Sequence, residues 1–140
     1  MPYTFPVTKD MVTASTSIRV STKSSERICK ILNKKNFKEA KDIIEKIFNK
    51  KRTVSGKKND KYYTKTTGEI LKFIKSLESN ANDRGFMPDE MTLMISAHQG
   101  RKMLRGRRKR SFGLLLKSTY LHGILKKPTV KKKKLKVNKK

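Results

Sequence analysis

Apolar residues recur at helical spacing in three stretches of the chain and alternate in a fourth. Ile28, Ile31 and Leu32 stand at i, i+3 and i+4 behind Ser21, which predicts a first helix from about Thr22 to Asn33 with Ser21 as its N-cap. Phe37, Ala40, Ile43, Ile44, Ile47 and Phe48 predict a second, from about Phe37 to Lys50, with Lys38, Lys41, Glu45 and Lys46 on its other faces. A third opens at Thr66, whose spacing to Glu69 is that of a capping box. It turns Ile70, Leu71, Ile74, Leu77 and Ala81 inward before Gly85 stops it. Three short amphipathic helices need a further surface to bury against.

That surface is expected from two strands. Between Met91 and His98 the residues alternate, with Met91, Leu93, Ile95 and Ala97 on one face and Thr92, Met94, Ser96 and His98 on the other. The run Leu114 to Leu125 is less regular, but Thr119, Tyr120, Leu121, Ile124 and Leu125 make it a second strand. An antiparallel hairpin is the economical way to join them. If its ladder continues past the domain body, residues 97–120 form an arm with limbs of ~10 to 12 residues, reaching ~30 to 40 Å at ~3.3 Å per residue. A hairpin of that kind is marginal in water and needs a surrounding partner.

The remaining segments show no period. Residues 1–17, rich in Ser and Thr with Pro2 and Pro6, read as an N-terminal extended arm. Arg52 to Thr66 reads as a basic loop carrying two tyrosines. Residues 126–140 hold nine lysines, and Pro128 ends any strand that runs into them. Like-charge repulsion keeps such a tail extended until it meets an anion, and a nuclear-localisation patch is a competing reading of the same lysines. The expected organisation is an arm at 1–17, a domain at 18–125 that includes the hairpin, and the tail.

Charge sharpens this picture. The chain has 140 residues and a net charge of +26, with 34% hydrophobic and 34% charged residues, so part of it folds and part is solvated or held by a partner. Of 37 basic and 11 acidic residues, 17 basic and no acidic ones lie from Met91 to Lys140. A solvated face mixes signs; a 50-residue segment without an acid expects an anionic partner, foremost nucleic acid. Seven of the ten residues from Arg101 to Arg110 are Lys or Arg, five of them Arg. Arginine adds planar stacking and forked hydrogen bonds, which suits irregular folded RNA, and no helix reads as a DNA recognition helix. The start MPYTFPVTKD lacks the basic and apolar regions of a signal peptide, and no apolar run approaches a membrane span, so a soluble intracellular protein is expected.

Catalytic readings find little support. His98 and His122 have no Cys, Asp or Glu at ligand spacing, and CxxC, GxxxxGK[ST] and GxGxxG motifs are absent. Both histidines read as strand-face or RNA-facing residues. Cys29, the single cysteine, excludes an internal disulfide and reads as a small residue near the core. A binding protein is expected rather than an enzyme, with no cofactor, no metal, no membrane and no small-molecule substrate. A chromatin-type nucleic-acid binder that uses the tail alone stays open as an alternative, and a membrane or chaperone-like module ranks lower because no helix joins a basic face to aromatic anchors.

The order of segments SIRVSTKSSERICKILNKKNFKEAKDIIEKIFNKKRTV, TGEILKFIKSLESNANDRGF, MTLMISAHQG, RRKRSFG and KSTYLHGIL closely resembles the universal large-subunit ribosomal protein family numbered twenty-two. The YTF near the start, SLESNANDRG and the lysine tail are similar to its archaeal and eukaryotic branch. The resemblance covers about Ser17 to Leu125. It implies an α+β fold of three helices packed on a small antiparallel sheet, with a long extended β-hairpin and basic, disordered-like termini. It also implies a structural constituent of the large ribosomal subunit that binds rRNA, supports assembly and lines the nascent-peptide exit tunnel with its hairpin. Implied partners are large-subunit rRNA, neighbouring large-subunit proteins and the nascent peptide; the implied location is the cytoplasmic ribosome, with a nuclear or nucleolar assembly phase if the source is eukaryotic.

Carried over by position, the expected rRNA-binding residues are Lys23, Arg101, Lys102, Arg105, Arg107, Arg108, Lys109, Arg110 and Lys117, and the basic loop adds Lys57, Lys58 and Lys61. The expected hairpin tip is Arg107, Arg108, Lys109, Arg110, Ser111, Phe112 and Gly113. The chain departs from the family in three places. Lys34 stands where the family often has glycine, so Asn33 or Asn36 is expected to take the left-handed turn there. The loop SGKKNDKYYTK is short, and about four residues are missing before the returning strand, which suggests a reduced ribosome.

Overall fold

A computed structural model describes residues 6–54, 62–106 and 112–127. In chain order its elements are β1 (Val12–Ile18), α1 (Thr22–Leu32), β2 (Lys35–Asn36), α2 (Phe37–Phe48), α3 (Thr64–Asp83), a short 3-10 turn (Pro88–Glu90), β3 (Thr92–Gln99), β4 (Met103–Leu104), β5 (Leu115–Leu116) and β6 (Thr119–Lys126). The main sheet is antiparallel in the order β1-β6-β3-β2, and β4 with β5 forms a separate two-stranded ladder. The architecture is therefore α+β, with three helices packed on a small antiparallel sheet.

The alternation seen in the sequence is the core pattern of β3. Met91, Leu93, Ile95 and Ala97 are buried, while Thr92, Met94 and Ser96 are half-buried and His98 is exposed. Helix α1 packs on β3, α3 packs on β1 and β6, and α2 packs mainly on α3. Ile28, Leu32, Phe37, Ile44, Ile47, Ile70, Leu77, Leu93, Leu121 and Leu125 have no exposed surface, and each contributes about 1.5–3 kcal/mol by leaving water. Gly123 of β6 allows α3 to sit this close. A Cβ there would lie 2.6 Å from Leu77 Cδ1 and 2.8 Å from Phe73 Cε1.

Gly85 ends α3 as expected. It has φ +70, its N–H donates to Asn82 O at 2.8 Å, and the Phe86 N–H reaches Ala81 O at 2.9 Å, the paired bonds of a Schellman motif.

Several expectations need correction. The arm assigned to residues 1–17 is a strand from Val12 onward: Val12 pairs with Leu125 and Ile18 with Thr119. Its inward residues Ala14 and Thr16 are small or polar, so hydrophobic alternation was too weak to show in the sequence. Ser21 occupies the N-cap position of α1, but its side chain makes no capping bond. Helix α3 begins at Thr64, behind Tyr63, so Thr66 and Glu69 form no capping box; Thr66 Oγ1 bonds Ser24 at 3.1 Å and Glu69 pairs with Lys72 at 3.1 Å. Phe48 is 42% exposed at the end of α2, lying against Gly68 rather than in the core. The left-handed turn after α1 falls on Lys34 itself, φ 63, not on Asn33 or Asn36. The Lys34 N–H donates to Leu93 O at 2.8 Å, and tying the chain to β3 this early fixes that conformation.

Candidate nucleic-acid interface

Three distant parts of the chain meet beside the base of the hairpin, joined by hydroxyl groups. Thr119, fully buried at the start of β6, donates from Oγ1 to Val20 O at 2.9 Å. With that proton committed, Thr119 accepts from Thr22 Oγ1 at 3.0 Å, in the first turn of α1. Ser24 donates to Ser21 O at 2.9 Å and so accepts from Thr66 in the first turn of α3. Thr67 Oγ1 lies 3.1 Å from Tyr63 O. These bonds place the N-terminal ends of α1 and α3 side by side, facing the hairpin.

The surface they build is cationic. Two adjoining cavities of about 490 and 660 Å³ share Val20, Ser21, Lys23 and Lys117 in their walls. The first continues along the hairpin through Arg101 and Lys102, and the second passes Arg19, Arg27, Tyr63 and Lys65. Glu26 is the one carboxylate among the described residues lining them. Neither first helical turn contains an acidic residue, and neither N-cap side chain satisfies an amide. Lys23 and Lys65 stand in first turns, where the helix dipole disfavours a cation. An anion in the groove would offset both costs, because helix N-termini and ammonium groups attract it together.

A β-bulge sets where the hairpin presents its charge. Gln99 pairs with Thr119 and Met103 with Leu116, which leaves Gly100, Arg101 and Lys102 opposite only Lys117 and Ser118. Adjacent residues of a regular strand point to opposite faces, yet Arg101 and Lys102 both line the first cavity. Gly100 is required here: its N–H donates to Ser118 O at 2.9 Å, and a Cβ would collide with Ser118 Oγ and approach its carbonyl carbon to 2.8 Å. Farther out, Arg105 N–H donates to Leu114 O at 3.0 Å and Gly113, φ 74, closes back on Arg105 O at 3.3 Å. Leu104, Phe112, Leu114 and Leu115 are 56–65% exposed along this arm. Exposed apolar side chains next to Arg105 and Lys117 mark a surface shaped for enclosure by a partner.

Of the expected rRNA-binding residues, Lys23, Arg101, Lys102 and Lys117 come together in the groove. Arg105, Phe112 and Gly113 lie farther along the arm and are exposed. Lys57, Lys58, Lys61, Arg107, Arg108, Lys109, Arg110, Ser111 and the tail from residue 128 lie outside the described residues. The first two tail lysines belong to the domain instead: Lys126 ends β6, paired with Thr92, and Lys127 Nζ lies 4.9 Å from the centre of the Phe86 ring. Sequence reasoning missed Arg19, Arg27 and Lys65. Arg27 stands four residues after Lys23 on the same helix, a signal that was legible; Lys65 was hidden by placing the start of α3 two residues too late.

Elsewhere the ionisable groups have structural settings. His98 and His122 lie with ring centroids 5.6 Å apart. Burial first, and then His98, hold the His122 imidazole below its ordinary range. Burial, with Glu26 second, pushes the Cys29 thiol up to about 12, so it carries no thiolate at neutral pH. Among the described residues there is no group of three or more potential metal ligands, and no helix is long and apolar enough to cross a membrane.

The sequence is similar to those of known proteins. The family model described as ribosomal protein L22p/L17e matches residues 13–117. The large ribosomal subunit protein uL22 of Methanococcoides burtonii is 28% identical over 109 residues, covering 69% of this chain and 72% of its own length. That of Methanocella arvoryzae is 27% identical over 111 residues, with the same shares covered. Both relatives are archaeal, in keeping with the branch that the sequence resembles. With three quarters of its length matched by one family, the chain belongs to the ribosomal protein L22p/L17e family.

Proposed function

We propose that this protein is a structural constituent of the large ribosomal subunit, that its groove and hairpin bind large-subunit rRNA, and that the hairpin tip reaches the nascent-peptide exit tunnel. The observation that carries this reading is the convergence of Lys23, Arg101, Lys102 and Lys117 at the base of an arm whose apolar side chains are exposed. Phosphates would neutralise the groove and surrounding RNA would cover the leucines, so that folding of the arm is completed during subunit assembly. The role is scaffolding rather than catalysis: rRNA segments are joined by one rigid domain, with neighbouring large-subunit proteins around it and the emerging peptide at the tip. A binder that relied on the lysine tail alone would have no use for a bulge that aims two cations into one groove.

The test replaces Arg101, Lys102 and Lys117 with Ala in the full chain. The variant is expected to keep its helical circular dichroism, because none of the three is buried, and to compete poorly with the wild-type protein for incorporation into large subunits. Equal incorporation would refute the assignment of the groove to rRNA.

A further inference from the structure

We propose that the larger cavity, between the first turns of α1 and α3, holds one unstacked base of a single-stranded RNA segment against the ring of Tyr63. The inference rests on the rRNA-binding reading and adds to it a nucleotide-sized subsite. At about 660 Å³ the cavity lies within the range of sites that take small organic groups. Its described wall contains the cations Arg19, Lys23, Arg27, Lys65 and Lys117, no carboxylate, and one aromatic ring, that of Tyr63.

Tyr63 is not the residue that a helix N-cap calls for. It is a non-glycine residue at φ 46 and ψ 46, in the left-handed region, and it fills an N-cap position without making a side-chain cap bond. Ser, Thr, Asn or Asp would serve the helix better there. The residue is nonetheless held firmly. Its carbonyl accepts from the Thr67 N–H at 2.9 Å and shares the Thr67 hydroxyl proton with Tyr62 O, its hydroxyl accepts from Arg27 Nη1 at 2.7 Å, and its half-buried ring packs against the core while lining the cavity. Strain maintained by several independent contacts points to function.

The chemistry of the wall selects the ligand. Cations alone would suit a duplex backbone, which offers phosphates and no free base face. A fixed aromatic ring with a guanidinium beside it suits a splayed base, which stacks whatever its identity while the flanking phosphates meet the lysines.

The test measures binding of the full chain to a fluorescein-labelled single-stranded hexauridylate and to a labelled RNA duplex, by anisotropy over a series of salt concentrations. Tyr63→Leu keeps the bulk and removes the π face. It is expected to weaken hexauridylate binding by about 5- to 150-fold, the fold-change equivalent of losing one stacked base, with an unchanged salt slope and unchanged duplex binding. Tyr63→Phe is expected to retain most of the affinity. Lys65→Ala is expected to lower the salt slope by about 0.7. Equal hexauridylate binding by Tyr63→Leu and wild type would overturn the proposal, as would a parallel loss for single strand and duplex. If Tyr63→Leu does not fold, photocrosslinking of the wild-type chain to a 4-thiouridine hexamer decides: crosslinks at Tyr63 support the subsite, and crosslinks only to the hairpin or tail overturn it. Wild-type protein that cosediments with large subunits while failing these tests removes the base subsite alone, whereas wild-type protein that fails to cosediment removes the rRNA reading beneath it.

Discussion

Replacing Thr119 with Val tests the hydroxyl bonds that hold the groove together. The two side chains are nearly the same shape, so the change leaves no cavity at this fully buried position. It removes the donor to Val20 O at 2.9 Å and the acceptor for Thr22 Oγ1 at 3.0 Å. A buried polar group left without its partner costs about 1–3 kcal/mol. The Thr22 hydroxyl retains a long contact to Ser118 O at 3.4 Å, so most of the cost falls on the Val20 carbonyl. The expected loss is about 2 kcal/mol, or ~1 to 1.5 M in the urea midpoint for a slope of ~1.5 kcal/mol/M. Urea unfolding followed by circular dichroism measures it, with Thr119→Ser as the control that keeps the hydroxyl. In a double-mutant cycle with Thr22→Val, the two changes should couple by at least ~0.5 kcal/mol, since they share one bond. A midpoint shift below ~0.3 M, or strict additivity, would refute the idea that these hydroxyls fasten α1 to the hairpin base.

Other positions give independent checks. Gly123→Ala would drive a methyl into Leu77 and Phe73, and thermal or urea unfolding should show about 1–3 kcal/mol of destabilisation from overpacking. His122 binds its proton less readily when folded, so stability should be held above pH 6.5, the ordinary value, and fall as pH drops below it; His122→Asn should flatten that limb of a stability–pH curve.

The sequence made the helical faces and β3 legible because each buries a continuous stripe of large apolar residues. It concealed β1, an edge strand whose inward side chains include Ala14 and Thr16, and it misplaced the start of α3 because Tyr63 is not a capping residue. Charge density marked the hairpin in advance, and Lys23, Arg101, Lys102 and Lys117 were all expected to bind RNA. Their meeting in one groove was not legible, because Lys23 and Lys117 are brought together by a sheet register that pairs Ile18 with Thr119. Nor does composition show a bulge, which depends on Gly100 lying against Ser118 across the ladder.

The central claim is that this chain is an integral rRNA-bound protein of the large subunit. Its most direct test is sucrose-gradient sedimentation of native extract, probed for the protein in low salt and after a wash at ~0.5 M salt, where contacts made through phosphates alone weaken steeply. Cosedimentation with the large subunit that survives the wash is the predicted result. Release into the light fractions, or absence from the subunit peak in low salt, would contradict it.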